Sequence, residues 1–137
     1  MFRRKNKTAR TKGRFGNATV ELAVCLPVLV LIVFGSLQAS SMYFLRQAMV
    51  QSAYEGVKEA ARSDGSQALA RTRSQQALAF RNITGETISF FPANSGAVAP
   101  GTPITVTVSA PGDENSVLPF GVFSGRTVSA SATMNKE

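Results

Sequence analysis

The sequence predicts an α+β fold in which a long N-terminal helix crosses a membrane and carries a small domain beyond it. Three observations support this: an uncharged run of 24 residues, Leu22–Leu45, a helical spacing of apolar residues that continues after Arg46, and a strict alternation after Glu86. A second short helix and a small three-stranded antiparallel sheet complete the expected architecture. At 137 residues the chain has room for one small domain with appendages.

The uncharged run is long enough to span a bilayer. As a helix it would rise roughly 36 Å, against a hydrocarbon core of about 30 Å. Pro27 lies near its start and has no N–H to donate, so a kink or a loosened turn is expected there. Small residues at 39–41 leave a cleaved secretory signal open as an alternative, although the segment before its apolar core would be long and would end in an acid.

The net charge of +7 is confined to the N-terminus. Residues 1–16 contain seven basic residues and no acid, whereas eight basic and eight acidic residues balance each other from Asn17 onward. The remainder therefore has no charge excess for a nucleic-acid surface, and we expect no nucleic-acid partner. A basic segment before an apolar span instead predicts a cytoplasmic N-terminus and a body on the far side of the membrane. The basic residues are Arg3, Arg4, Lys5, Lys7, Arg10, Lys12 and Arg14.

Beyond the span, the helix is expected to continue and to bury one apolar stripe against the outer domain. Ser63-Asp64-Gly65 interrupts it, with Gly65 as the stop signal and Ser66 as the N-cap of a second helix from about Gln67 to Arg81. The stripe consists of Leu45, Met49, Ala53, Val57 and Ala60, and the apolar contacts of the second helix are Ala70, Ala77, Leu78 and Phe80.

Three half-buried strands follow, because apolar and hydroxyl side chains alternate. The inward residues are Ile88 and Phe90, then Ile104, Val106 and Val108, then Val128, Ala130, Ala132 and Met134. The apolar loop Leu118–Phe123 interrupts the second long connection. We expect it to complete the domain's own core, and contact with another subunit is the alternative.

Catalytic chemistry has little support in the sequence. The chain has no histidine, and its one cysteine, Cys25, lies in the apolar run. Asp113, Glu114 and Asn115 place oxygen atoms together, but calcium needs six or more ligands, so a solvated turn is expected. The sequence predicts no enzyme activity, no cofactor and no metal site.

The junction of the basic segment with the span reads RFGNATVELAVCLPVLVLIVFG from Arg14 to Gly35. Gly16 stands five residues before Glu21, whose charge at the head of a membrane helix is costly. One explanation is that the helix macrodipole favours an acid at this end. The other is that Glu21 meets a positive partner during assembly.

This junction resembles the class III signal of type IV prepilins, and NATVELAVCLPVLVLIVFG resembles the TadE-like pseudopilins of the bacterial tight-adherence (Tad/Flp) pilus system. The resemblance covers roughly residues 10 to 60. Short Flp pilins typically carry tyrosine after the glutamate, whereas this chain has Leu22 and about ninety residues beyond the span. These departures favour a minor pseudopilin over the shaft subunit, and TadF remains an alternative to TadE.

The resemblance implies that a prepilin peptidase cuts after Gly16, so that the basic leader 1–16 is removed and Asn17 becomes the N-terminus. Glu21 would then neutralise the terminal amine of a neighbouring subunit. The mature protein would span the bacterial inner membrane once through residues 17–45 and expose a pilin-like domain, residues 46–137, to the periplasm.

The implied partners are the prepilin peptidase, other pseudopilins, the Flp pilin and the Tad assembly platform. The implied processes are cell adhesion, biofilm formation and secretion. The competing hypotheses are a membrane-anchored envelope binding protein and a secreted protein.

Overall fold

The computed structural model describes residues 14–116 and 125–137. Residues 1–13 of the predicted leader and the apolar loop 118–123 lie outside this part of the chain. The chain divides into two compact units, Met1–Ser36 and Leu37–Glu137. The predicted α+β architecture is confirmed. The elements are α1 (Arg14–Ala61), α2 (Gln67–Ala79), β1 (Thr87–Phe91), a 3₁₀ turn (Ser95–Ala97), β2 (Pro103–Pro111) and β3 (Thr127–Asn135).

In the first unit, the described residues are the beginning of α1. Every residue from Gly16 to Ser36 is exposed, so this part of the helix has no packing partner among the described residues of its own unit. The helix is continuous through Pro27. The kink expected there stays a prediction.

In the second unit, β1, β2 and β3 form an antiparallel sheet in that order. Val106, at the middle of β2, pairs with Phe90 on one side and with Ala132 on the other. Alternate residues of β2 from Ile104 to Ala110 are fully buried, as the period of two predicts. Their counterparts on β3 are only half-buried, since β3 is an outer strand.

The outer part of α1 packs its predicted apolar stripe into this unit. All five predicted residues of the stripe, from Leu45 to Ala60, are buried, and they join Ile104, Val106 and Val108 of β2 in one core cluster. Burying each large aliphatic side chain contributes about 1.5–3 kcal/mol. The outer part of α1 therefore contributes a large share of the hydrophobic core of the domain.

Helices α1 and α2 approach each other closely through small residues. Ser52 Oγ donates to the Ser74 carbonyl oxygen at 2.9 Å, and Ser74 Oγ donates to the Ser52 carbonyl oxygen at 3.1 Å. Both serines are fully buried. Gly56 lies in the same contact, where a Cβ atom would collide with Ser74 Oγ. The sequence analysis missed this contact because small residues carry no apolar periodicity.

Helix α2 begins as predicted, with the Ser66 side chain accepting a hydrogen bond from the Leu69 N–H at 3.2 Å. It ends at Ala79, two residues before the expected end. The expected packing of Phe80 is wrong, because this side chain is 90% exposed. Leu78 is buried, and Phe80 is two residues further on, about 200° around the helix.

Lys136 and Glu137 form hydrogen bonds with the C-terminal end of α1. Lys136 is only 6% exposed, and its Nζ donates to the carbonyl oxygens of Ala60 at 3.1 Å and Arg62 at 2.6 Å. The Glu137 N–H donates to the Ala61 carbonyl oxygen at 2.8 Å. These bonds satisfy carbonyl groups that a helix end leaves without partners, and they place a positive charge at the negative end of the helix dipole.

Candidate functional site

The predicted processing and docking residues lie together at the beginning of α1. Gly16 and Asn17 are in the first turn of the helix, and Glu21 is one turn further along. The Asn17 side-chain amide donates to Glu21 Oε1 at 2.9 Å. This spacing of four residues brings side chains to the same face of a helix. The predicted first and fifth residues of the mature chain are therefore in direct contact.

The Glu21 carboxylate can accept a further hydrogen bond besides the one from Asn17. An ionised carboxylate has two oxygens and about four acceptor positions, and the Asn17 amide is bonded to one of those oxygens. The side chain of Glu21 is exposed. A positively charged donor from another molecule could therefore bind the same carboxylate.

Gly16, on the N-terminal side of the proposed cleavage site, is not crowded by other side chains of the described residues. Apart from its chain neighbours and the nearby helix backbone, no heavy atom of the described residues would lie within 4 Å of a Cβ atom placed on it. Glycine also weakens a helix by about 0.5–1 kcal/mol relative to alanine, and the first turn of a helix has N–H groups without helical partners. The bond between Gly16 and Asn17 thus lies in a turn that is easier to unwind than the middle of the helix.

The surroundings of these residues are apolar. Helix residues Gly16–Ala61 contain an 18-residue window with a mean hydropathy of 2.5, none of it buried. Within the described part of the chain, this is the one helix long and apolar enough to cross a membrane. Pro27 and the free, exposed thiol of Cys25 both lie in α1 beyond Glu21.

The acidic turn at residues 113–115 has a structural role. Asn115 Nδ2 donates to the carbonyl oxygens of Thr84 at 2.9 Å and Pro111 at 2.8 Å, and its Oδ1 accepts the Thr84 N–H at 2.9 Å. Asp113 Oδ1 accepts the Gly125 N–H at 2.6 Å. Among the described residues, no group of three or more His, Cys, Asp and Glu side chains could hold a metal ion.

Two exposed arginines of the outer domain have defined contacts as well. The Arg71 guanidinium lies 5.5 Å from the centre of the Phe90 ring, and Arg81 Nη2 donates to Gln51 Oε1 at 2.7 Å. Both contacts link α2 or its end to another element of the domain. Neither forms a recognisable ligand site, in agreement with their exposed positions.

The role of the Asn17 side chain was not part of the sequence prediction. Asn17 was singled out only as the residue after the cut, whereas the structure adds its hydrogen bond to Glu21. The spacing of four between an amide and a carboxylate, inside a helix, was the signal available in the sequence.

Comparison with known proteins supports the importance of this segment. A family model described as TadE-like protein matches residues 16–58, beginning at the glycine of the proposed cut. No curated protein and no solved structure gives a significant match to the chain. The family match supports involvement in the Tad pilus system, and the exposed apolar helix is consistent with membrane anchoring. The resemblance inferred from the junction is thereby confirmed, since residues 16–58 are similar to the TadE-like family.

Proposed function

We propose that the protein is a minor pseudopilin that takes part in Tad pilus assembly, or in initiation of the pilus tip. The observation that carries this proposal is the TadE-like match, which starts at Gly16 and covers most of the long helix α1. In this proposal the protein has a structural role and performs no catalytic step. It acts with other pseudopilins, the Flp pilin and the inner-membrane assembly platform.

The processing step is cleavage between Gly16 and Asn17 by a prepilin peptidase at the cytoplasmic face of the membrane. Cleavage removes seven positive charges and leaves the side-chain charges of the mature chain balanced. It also creates an amine at Asn17, one helical turn from Glu21. The mature chain then consists of a membrane helix, residues 17–45, and a periplasmic domain, residues 46–137.

Glu21 is the docking residue in this proposal. A carboxylate at the centre of a bilayer costs about 2.5–3.5 kcal/mol on insertion scales, and less near the interface. In the single chain, the Asn17 amide donates to this carboxylate and offsets part of that cost. In an assembly of helices, the N-terminal amine of a neighbouring subunit would add a charge-assisted bond. Pro27 would loosen the helix just beyond this contact.

The N-terminus of the protein recovered from cells tests the processing step. A chain that starts at Asn17, and does so only when the prepilin peptidase is present, supports the proposal. A start at Met1, whether or not the peptidase is present, would instead indicate an uncut membrane anchor with an envelope-binding domain. A start near residues 40–42 would indicate a secreted protein with a cleaved signal.

Substitution of Glu21 tests the docking step. Glu21→Gln keeps a side-chain acceptor for the Asn17 amide but removes the charge that neutralises an amine. Glu21→Val removes both. We expect both variants to insert into the membrane at normal levels and to be lost from the purified pilus or its complex. Glu55→Gln, which removes a carboxylate from the part of α1 beyond the span, is the matched control. Normal incorporation of Glu21→Gln would refute the docking role.

A further inference from the structure

The outer edge of β3 has no strand beside it among the described residues. In an antiparallel ladder, the backbone groups of successive residues point alternately to the two edges of a strand. At the beginning of β3, the Arg126 carbonyl oxygen accepts the Gly112 N–H at 2.7 Å. At its end, the Lys136 N–H donates to the Thr102 carbonyl oxygen at 2.9 Å. Even-numbered residues therefore bond toward β2, and the N–H and C=O groups of Ser131 and its odd-numbered neighbours point to the outer edge.

The undescribed residues cannot occupy the middle of this edge. Residues 117–124 end at Gly125, whose N–H donates to Asp113 Oδ1 at 2.6 Å, so both ends of that segment lie near the beginning of β3. Eight residues that leave this point and return to it reach about 16 Å. Ser131 lies six residues beyond Gly125, about 20 Å along an extended strand. Residues 1–13 are removed in the proposed processing.

Strand β3 lacks the features that usually protect a sheet edge. Natural edge strands carry charged residues, proline or a bulge, or they are very short. β3 has nine residues, Thr127–Asn135, with no charged residue and no proline, and its register against β2 is uninterrupted. The opposite edge is protected, because β1 has five residues and is followed by Pro92. The edge of β3 is thus the one suited to a further strand.

An apolar surface of α1 accompanies this edge. At the beginning of β3, the Met42 side chain lies against Gly112. Just after the end of β3, a backbone N–H donates to the Ala61 carbonyl oxygen. Val50 and Tyr54 lie between these two points, on the same side of α1, and their residues are 46% and 49% exposed. A strand added to β3 would cover them with every second side chain.

The side chains of β3 indicate which kind of strand fits. Hydroxyl and apolar residues alternate along β3, and β2 already pairs with it through the same alternation. Val106 lies opposite Ala132, and Thr105 Oγ1 is 2.8 Å from Thr133 Oγ1. Because β3 has no charged residue, a charged segment would gain no ionic partner from it. An uncharged segment with apolar residues at alternate positions therefore fits this edge.

A second copy of β3 does not fit in one membrane. β3 runs in the same direction as the outer part of α1, since it begins near Met42 and ends near Ala61. Two β3 strands paired antiparallel would hold their α1 helices in opposite directions. Chains that leave one membrane on the same side, as in the proposed function, keep the same direction. A different protein is therefore the expected partner.

We propose that the outer edge of β3, centred on Ser131 and Thr133, binds an extended, uncharged segment of another protein as a fourth, antiparallel strand. The backbone of the segment bonds to the edge, and its alternate apolar side chains cover Val50 and Tyr54. Antiparallel pairing is the geometry that β3 has with β2, and such ladders are slightly more stable than parallel ones. The choice of partner rests on the proposed membrane topology, whereas the peptide measurements below do not.

A synthetic peptide tests the edge on the unmodified protein. The probe is a fluorescein-labelled peptide with the sequence of residues 126–136, which has the required alternation and basic ends that keep it soluble. Its binding to the protein in detergent micelles is followed by fluorescence anisotropy. N-methylation at the peptide's equivalents of Ser129, Ser131 and Thr133 removes the donors that face the edge. Since each hydrogen bond changes affinity about fivefold, we expect binding at least tenfold weaker.

The matched control peptide is N-methylated at the residue that follows each of these three, where the amide points away from β3. It should bind as the unmethylated peptide does. Equal affinities of the two methylated peptides would overturn the proposal, as would a lack of binding by the unmethylated peptide.

A substitution in β3 tests the same edge from the side of the protein. Ser131→Pro removes an outward-facing N–H, and an edge strand tolerates proline at such a position. It should weaken peptide binding at least fivefold, whereas Ser131→Ala, which keeps the N–H, should not. Unchanged binding by Ser131→Pro would refute the site. If this variant fails to fold, the two methylated peptides still decide the question.

Sedimentation of the protein in micelles tests the choice of partner. We expect a monomer in the absence of the peptide. A dimer that Ser131→Pro dissociates would show that a second copy occupies the edge, and it would overturn the assignment to a different protein.

Discussion

The buried ammonium of Lys136 allows a quantitative test of how the outer domain holds the end of α1. Lys136→Met keeps a long apolar side chain of similar size but removes the charge that binds the carbonyl oxygens of Ala60 and Arg62. Hydrogen bonds to a charged group contribute about 1.5–3 kcal/mol each. The cost of removing the ammonium from water offsets part of this sum, so we expect a net loss of about 2–4 kcal/mol.

The assay is urea unfolding of the full-length protein in detergent micelles, followed by brief proteolysis at each urea concentration. With a slope of about 1–2 kcal/mol per molar urea, the midpoint of Lys136→Met should fall by roughly 1–4 M. Lys58→Met is the matched control, because Lys58 is also near the end of α1 but is exposed. If the two variants unfold at the same midpoint, the lysine does not stabilise the helix end and the reasoning is wrong.

Three further substitutions test other contacts by the same unfolding assay. Gly56→Ala should destabilise the domain by about 1–3 kcal/mol, because the added Cβ would collide with Ser74 Oγ; a stability equal to that of the unmodified protein would contradict the close helix crossing. Asn115→Ala should cost about 1–3 kcal/mol, since it removes the hydrogen bonds to Thr84 and Pro111; a change below 0.5 kcal/mol, the usual range for a surface substitution, would refute the structural role of the turn. Phe80→Ser should change stability by less than about 0.5 kcal/mol because the ring is exposed. A large loss of stability would instead support the packing of Phe80 that the sequence predicted.

The sequence was a reliable guide wherever one face of an element is buried. The stripe from Leu45 to Ala60 and the alternation along β2 both appear in the structure as predicted. Such patterns are readable because burial of apolar side chains follows the geometric period of the helix or strand. The prediction that Phe80 packs in the core failed because this residue follows α2 at an angle that points its ring away from the core.

Contacts between polar groups distant in the chain were beyond the sequence analysis. Lys136 binds carbonyl groups 76 and 74 residues earlier in the chain, and the Ser52–Ser74 pair joins residues 22 apart. A lysine or a serine has no periodic signature that reveals such a partner. These bonds depend on which backbone groups the completed fold leaves without partners, and that is known only when the fold is known.

The candidate site is only partly encoded within one chain. Spacing along the helix fixes the contact between Asn17 and Glu21, so this part can be derived locally. The proposed amine partner of Glu21 belongs to another subunit, and a single chain carries no geometry for it. The sequence could therefore indicate Glu21 as the proposed docking residue, through the cost of its charge in the span, but not the arrangement of subunits in the proposed assembly.

The two parts of α1 have different sources of stability, and this difference bears on assembly. The outer part, from Leu45 to Ala61, is fixed by the core cluster and by the C-terminal residues of the chain. Residues 16–36 are exposed along their whole length, and in the proposed membrane topology lipid or other helices cover them. Lipid tails are as apolar as leucine, so apolar contact alone gives helices little reason to leave lipid for one another. In the proposed assembly, the charge of Glu21 gains more from a positive partner than from lipid, and it would supply that reason at one defined position along the helix.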